Sequence, residues 1–109
     1  MSVGQFVFML HSHLPYYRKA GMWPFGEENL YECMAETYVP LLNAISELYD
    51  EGIKAKLTVG ITPILAEQLN DEHLQQGFVK YLDTRIASVS KDLDRYPDPK
   101  VAHSQHLKY

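Results

Sequence analysis

The first apolar run of the chain, Phe6-Val7-Phe8-Met9-Leu10, is short, β-branched and aromatic, with almost no polar position to mark a wet face. Such a run predicts a strand buried on both sides, as in parallel sheets. It stops at His11-Ser12-His13-Leu14-Pro15-Tyr16, and a long connection from Leu14 to Asn29 follows, holding Pro15, Gly21, Pro24 and Gly26. Loops of that length are usually functional. From Leu30 the spacing turns helical, with Leu30, Met34, Tyr38, Leu41, Leu42, Ile45, Leu48 and Tyr49 on one stripe and Gly52 as the expected stop after Glu51. Pro40 lies inside that helix, where it removes a backbone hydrogen bond and crowds the preceding turn. A kink near Glu36, or a break into two helices, is expected.

Ala55-Lys56-Leu57-Thr58-Val59 reads as a second strand, reached from the helix by almost no linker. Strand, helix, strand is a βαβ unit, whose strands should run parallel with a right-handed crossover. Thr62-Pro63 offers an N-cap hydroxyl and a proline at the first helical position, opening a short helix through Ile64, Leu65 and Leu69 that ends near Asn70. Asp71 is the next N-cap candidate. The helix behind it carries Leu74, Phe78, Tyr81, Leu82, Ile86, Val89 and Leu93 on one face and Lys80, Asp83, Arg85, Lys91, Asp92 and Asp94 on the other, until Tyr96-Pro97-Asp98-Pro99 stops it. The tail from Lys100 to Tyr109 has no periodic pattern and brings no third strand.

The order is βαβαα, which places the chain in the α/β class. Two parallel strands leave unpaired edges and uncovered faces, so residues 1–109 read as one part of a single larger domain, with self-association through the exposed edges as a consequence. There are no internal repeats or low-complexity segments.

Composition is ordinary for a globular chain, with 109 residues, 46% hydrophobic and 22% charged. The net charge of −4, from 10 basic and 14 acidic residues spread along the sequence, offers no basic stripe for a phosphate backbone and argues against nucleic acid as a partner. Cys33 is the single cysteine and cannot form an internal disulfide, which fits a reducing, cytoplasmic compartment. Met1-Ser2-Val3-Gly4-Gln5 lacks a positive n-region, and the apolar run behind it is too short for a signal-peptide core or a membrane span.

Candidate chemistry gathers where the first strand ends, because in parallel α/β folds ligands sit beyond the carboxyl ends of the strands. His11 and His13 are two residues apart and point the same way if the strand geometry persists. Imidazoles there could donate to sugar hydroxyls, shuttle protons or bind a metal, or one of them could simply shape the turn. Tyr16 and Trp23 share the loop; Trp23 is either an apolar platform for a sugar face or an anchor to the core, and Phe25 reads as an anchor. Glu27, Glu28, Glu32 and Glu36 are the acidic first turns of a helix, with Glu36 of interest only if it turns inward.

Four blocks together carry a resemblance: Phe8-Met9-Leu10-His11-Ser12-His13-Leu14-Pro15-Tyr16, Gly21-Met22-Trp23-Pro24-Phe25-Gly26-Glu27-Glu28, Ala35-Glu36-Thr37-Tyr38-Val39-Pro40-Leu41-Leu42, and Leu57 through Leu69. In register, they are similar to the amino-terminal part of glycoside hydrolase family 57, in its 1,4-alpha-glucan branching enzyme group, from about Phe6 to about Asp92. The resemblance implies an incomplete (β/α)7 barrel acting on an alpha-glucan, cleaving an alpha-1,4 bond with retention and forming an alpha-1,6 branch, with no metal or organic cofactor. Retention needs a carboxylate nucleophile and a carboxylic acid about 5 Å apart. In the family these are a glutamate and an aspartate on later strands, and neither motif occurs here. What carries over is glucan binding by His11 and His13, with Trp23 as a wall of the cleft. Asn29 departs from the pattern, where tryptophan is common, which implies a weaker or altered sugar platform.

Two other classes remain open. A His-x-His after a first barrel strand also begins the metal site of some metal-dependent hydrolases. Such a site needs further ligands on later strands, and His73, His103 and His106 fall in a helix and a tail. The chain could also be a non-catalytic interaction module that pairs through its strand edges.

Overall fold

A computed structural model describes residues 3–96. Two short strands, β1 (Met9–Ser12) and β2 (Thr58–Ile61), pair in parallel, with Leu10 opposite Val59 and His11 opposite Gly60. Parallel neighbours cannot be joined by a tight hairpin. Here the connection runs through α1 (Glu27–Cys33), a π-helical turn (Met34–Tyr38) and α2 (Val39–Asp50); α3 (Pro63–Leu69) and α4 (Glu72–Arg95) follow β2. The βαβαα order expected from the apolar pattern is present.

The strands sit further along the chain than the apolar runs suggest. Phe6–Leu10 and Ala55–Val59 were the expected strands, yet the ladder opens with the Thr58 N–H donating to the Phe8 carbonyl at 3.0 Å and closes with the Thr62 N–H donating to Ser12 at 3.1 Å. Apolar character marks where burial is favourable, whereas a strand exists only where a partner backbone lies alongside. At and just before the start of the ladder, Phe6 is 89% exposed, and Val7, Phe8 and Met9 are exposed as well. Burial on both faces is therefore not realised for this run.

Pro40 does not split the first helix in two: residues 27–50 stay helical throughout, with a π-helical turn inserted just before the proline. The Val39 N–H reaches back five residues to the Met34 carbonyl, and Pro40 follows at the start of α2. The helix ends as Gly52 predicts: with φ of +75°, Gly52 donates to Tyr49 and Ile53 donates to Leu48, the paired bonds of a Schellman stop. Asp71 also caps as expected, its Oδ1 accepting from the Leu74 N–H at 3.1 Å. Thr62 does not. It occupies the cap position of α3, but its hydroxyl makes no cap bond and turns to His13 instead.

The described residues form two compact units, dividing at Gln75–Gln76 within α4. In the first, Leu30, Tyr31, Leu65 and Leu74 are fully buried with the polar side chains Glu27 and Gln68. One face of the sheet, carrying Ser12, Val59 and Ile61, looks onto α2 and α3 across an apolar cavity of about 300 Å³ that Leu41, Leu42 and Ile45 also line. The second unit is the remainder of α4, where Arg85 stacks 5.0 Å over the Tyr81 ring and the Thr84, Ser88 and Ser90 hydroxyls donate to carbonyls one turn back. Of the expected stripe on α4, Leu74 is buried and Phe78, Tyr81 and Leu82 are half-buried, whereas Ile86, Val89 and Leu93 are exposed. Among the described residues no helix is long and apolar enough to cross a membrane. The proline stop after Tyr96, the tail, His103 and His106 lie outside the described residues.

Candidate functional site

Strand alternation fixes the side-chain faces at the end of β1. Ser12 faces α2 and α3, so His11 must face the other way. Its cross-strand neighbour is Gly60, and a Cβ built on Gly60 would lie 3.5 Å from His11 Nδ1, so the imidazole lies over a residue that leaves it room. The Thr62-to-Ser12 backbone bond carries the same register onward and brings Thr62 beside His13. His13 Nδ1 and the Thr62 hydroxyl share a hydrogen bond of 3.0 Å, which orients the ring and leaves Nε2 outward. Both histidines are exposed. The sheet thus presents two imidazoles on the face away from its helices, at the carboxyl end of the first strand.

The loop that follows is held at several points. Gln68, 1% exposed, accepts from the Tyr17 N–H at 2.7 Å and donates to the Pro15 carbonyl at 2.9 Å. Arg18 pairs with Asp71 at 2.6 Å, and the Lys19 N–H donates to Glu27 at 2.8 Å. Further along, the Gly21 and Met22 carbonyls accept from the Glu27 and Glu28 N–H groups, so the loop itself caps α1. Gly26 is required there, because a Cβ would collide with the Gly21 carbonyl and sit 2.8 Å from the Met22 oxygen. Between these anchors Tyr16, Met22, Trp23 and Phe25 project outward, Trp23 at 79% and Phe25 at 83% exposure. Phe25 is not the core anchor expected, and its φ of +59° turns it away from the interior.

Glu27 is not a surface residue of an acidic first turn. It is buried, and its two oxygens take the Lys19 N–H, the Tyr31 hydroxyl at 3.2 Å and His73 Nε2–H at 3.1 Å. Burial alone would push its carboxyl pKa up; the Lys19 N–H, then His73 and Tyr31, outweigh it and hold the carboxyl below the ordinary range. Burial, with the Glu27 charge, pushes the Tyr31 hydroxyl up to about 12, so it stays a donor. A carboxyl pKa lowered by folding contributes stability that is present above the unfolded pKa and is lost as pH falls through the folded one. Glu27→Gln is therefore expected to cost about 1 to 3 kcal/mol at neutral pH. Thermal melts should show that deficit shrinking in acid, and an equal deficit at both pH values would remove the charge from the account.

No protein-family model matches the chain. Among curated proteins, a 1,4-alpha-glucan branching enzyme of Thermococcus kodakarensis is 42% identical over 106 residues, 97% of this chain. A protein of Mycobacterium tuberculosis named "Probable 1,4-alpha-glucan branching enzyme" is 40% identical over 79 residues, 72% of this chain. The chain is homologous to a segment of 1,4-alpha-glucan branching enzymes. It spans 16% of the length of the first relative and 15% of the second. With 106 of 109 residues matched in the Thermococcus branching enzyme, the histidine face, the loop and its anchors all lie inside the shared stretch.

The structure brings His11 and His13 to one face of the sheet and leaves Tyr16 and Trp23 exposed on the anchored loop that follows them. Glu36 does not turn inward. It is exposed on the π-helical turn, where its charge and that of Glu32 add to the burial that pushes the Cys33 thiol up. Asn29 lies in the first turn of α1, its N–H donating to Gly26. Among the described residues no three His, Cys, Asp or Glu side chains are grouped as a metal site would require. Gln68, Glu27 and Thr62 were missed as loop and histidine anchors; the polar Gln68 between the apolar Leu65 and Leu69 was the available signal.

Proposed function

We propose that the chain supplies part of the glucan-binding wall of a cytoplasmic 1,4-alpha-glucan branching enzyme of glycoside hydrolase family 57, as an amino-terminal portion of its (β/α)7 barrel. The observation that carries this reading is the 42% identity over 106 residues to a branching enzyme. The geometry supports it. Imidazoles can both donate to and accept from sugar hydroxyls, and an exposed indole offers a flat apolar face to the C–H side of a pyranose. His11, His13 and Trp23 are the residues in these roles, and Tyr16 joins them.

The complete enzyme cleaves an alpha-1,4 bond of the glucan with retention and transfers the released segment to a 6-hydroxyl, without metal or organic cofactor. The two carboxylates of that reaction lie on strands beyond this chain. His11 and His13 act beside them, holding hydroxyls of the sugar whose bond is broken.

In the complete gene product, His11→Ala and His13→Ala are each expected to lower branching of amylose by an amount worth about 1 to 3 kcal/mol, since a bond that tightens in the transition state is lost. Melting temperature should change little, because exposed side chains contribute little to a core. New alpha-1,6 linkages, counted after debranching, are the measurement. Near-normal activity in both variants returns the histidines to a structural role, and a wild-type product without branches overturns the reading.

A further inference from the structure

Gln68 binds the loop in an unusual way for a core side chain. Its Oε1 takes the Tyr17 N–H at 2.7 Å and its Nε2 gives to the Pro15 carbonyl at 2.9 Å, while Nε2 also lies 3.3 Å from the Ile64 carbonyl of its own helix. The carbonyl before a residue and the N–H after it are the two groups that a parallel neighbouring strand would engage. The carboxamide of Gln68 thus does for Tyr16 what a strand partner does for a residue inside a sheet. Both peptide groups flanking Tyr16 are bound by one buried side chain, and the Tyr16 side chain itself is 53% exposed.

We propose that Gln68 is a positioning residue that fixes Tyr16 as a sugar contact of the cleft. This rests on the glucan-binding reading above. A buried amide costs free energy unless its partners are met, and a methionine or leucine would fill the same space at α3 without that demand. What the amide adds is the backbone geometry of residues 15–17. Pro15 restricts the chain from one side, and the Arg18–Asp71 pair with the Lys19-to-Glu27 bond restrains it from the other. Tyr16 is left as the one side chain between fixed peptide groups, held in place before substrate arrives, which is how preorganisation reduces the entropy cost of binding.

The test is a double-mutant cycle on the complete gene product, with amylose as substrate and melting temperature recorded for every variant. Gln68→Met is expected to raise KM more than it lowers kcat and to cut kcat/KM about tenfold in the wild-type background, but to change it by less than about twofold when Tyr16 is already alanine. Gln68→Leu, which also removes both bonds while filling the space, serves in place of methionine if that variant does not fold. Equal losses in both backgrounds overturn the proposal, because Gln68 would then act on the fold at large. A Tyr16→Ala enzyme with unchanged KM and kcat/KM also overturns it, by showing that Tyr16 touches no sugar, while wild-type branching activity keeps the functional reading separate from either result.

Discussion

Mixed with amylose, the isolated chain is expected to leave both iodine staining and reducing ends at the level of a buffer blank. Retaining transfer needs a nucleophilic carboxylate and an acid about 5 Å apart across the scissile bond, and without that pair there is no covalent step to accelerate. The described carboxylates with fixed geometry have other tasks. Glu27 is buried and saturated by Lys19, Tyr31 and His73, and its depressed pKa suits neither an acid catalyst at neutral pH nor an approach by a sugar carbon. Asp71 caps α4 and pairs with Arg18. Enzymes in general lower their barriers by about 8 kcal/mol or more, so the absence of turnover is the largest effect expected of the isolated chain. Sustained turnover by the 109-residue chain alone would sink it.

Features legible in the sequence were those settled within a few residues. Gly52 announced its stop because only a left-handed backbone closes that helix, and Asp71 announced its cap because its oxygen meets an N–H three residues on. The histidine pair at the end of β1 was legible from spacing alone. What stayed hidden depends on partners far along the chain. Glu27 looked like a helix-dipole residue, yet its partners Lys19 and His73 lie 8 and 46 residues away. Gln68 reaches Tyr17 across 51 residues. Thr62 could cap its own helix or bond His13, and only the parallel register, which brings it beside that ring, decides for His13. The strands slid toward their carboxyl ends for the same reason, since pairing is a property of two segments and apolar character a property of one.

The isolated chain is expected to be poorly stable and to self-associate. Fully buried apolar side chains among the described residues are Leu30, Tyr31, Leu65 and Leu74, a small core for this length. Against it stand the exposed Phe6, Val7, Phe8 and Met9 at the head of β1, and Ile86, Val89 and Leu93 on α4. The open apolar pocket of about 300 Å³ between the sheet and α2 and α3 adds further uncovered apolar surface. At roughly 25 cal/mol per Å² of apolar area, a few hundred Å² left uncovered forgoes about 5 to 10 kcal/mol, comparable with a typical domain's whole stability. Among the described residues the sheet has two strands, so both of its edges are left for a second copy to pair with. Size-exclusion chromatography with light scattering and thermal melting should therefore show species above the monomer mass and a broad, weak transition. A monodisperse monomer with a sharp cooperative melt would contradict this, and residues 97–109 would then be the first place to look for the cover that the exposed apolar surface lacks.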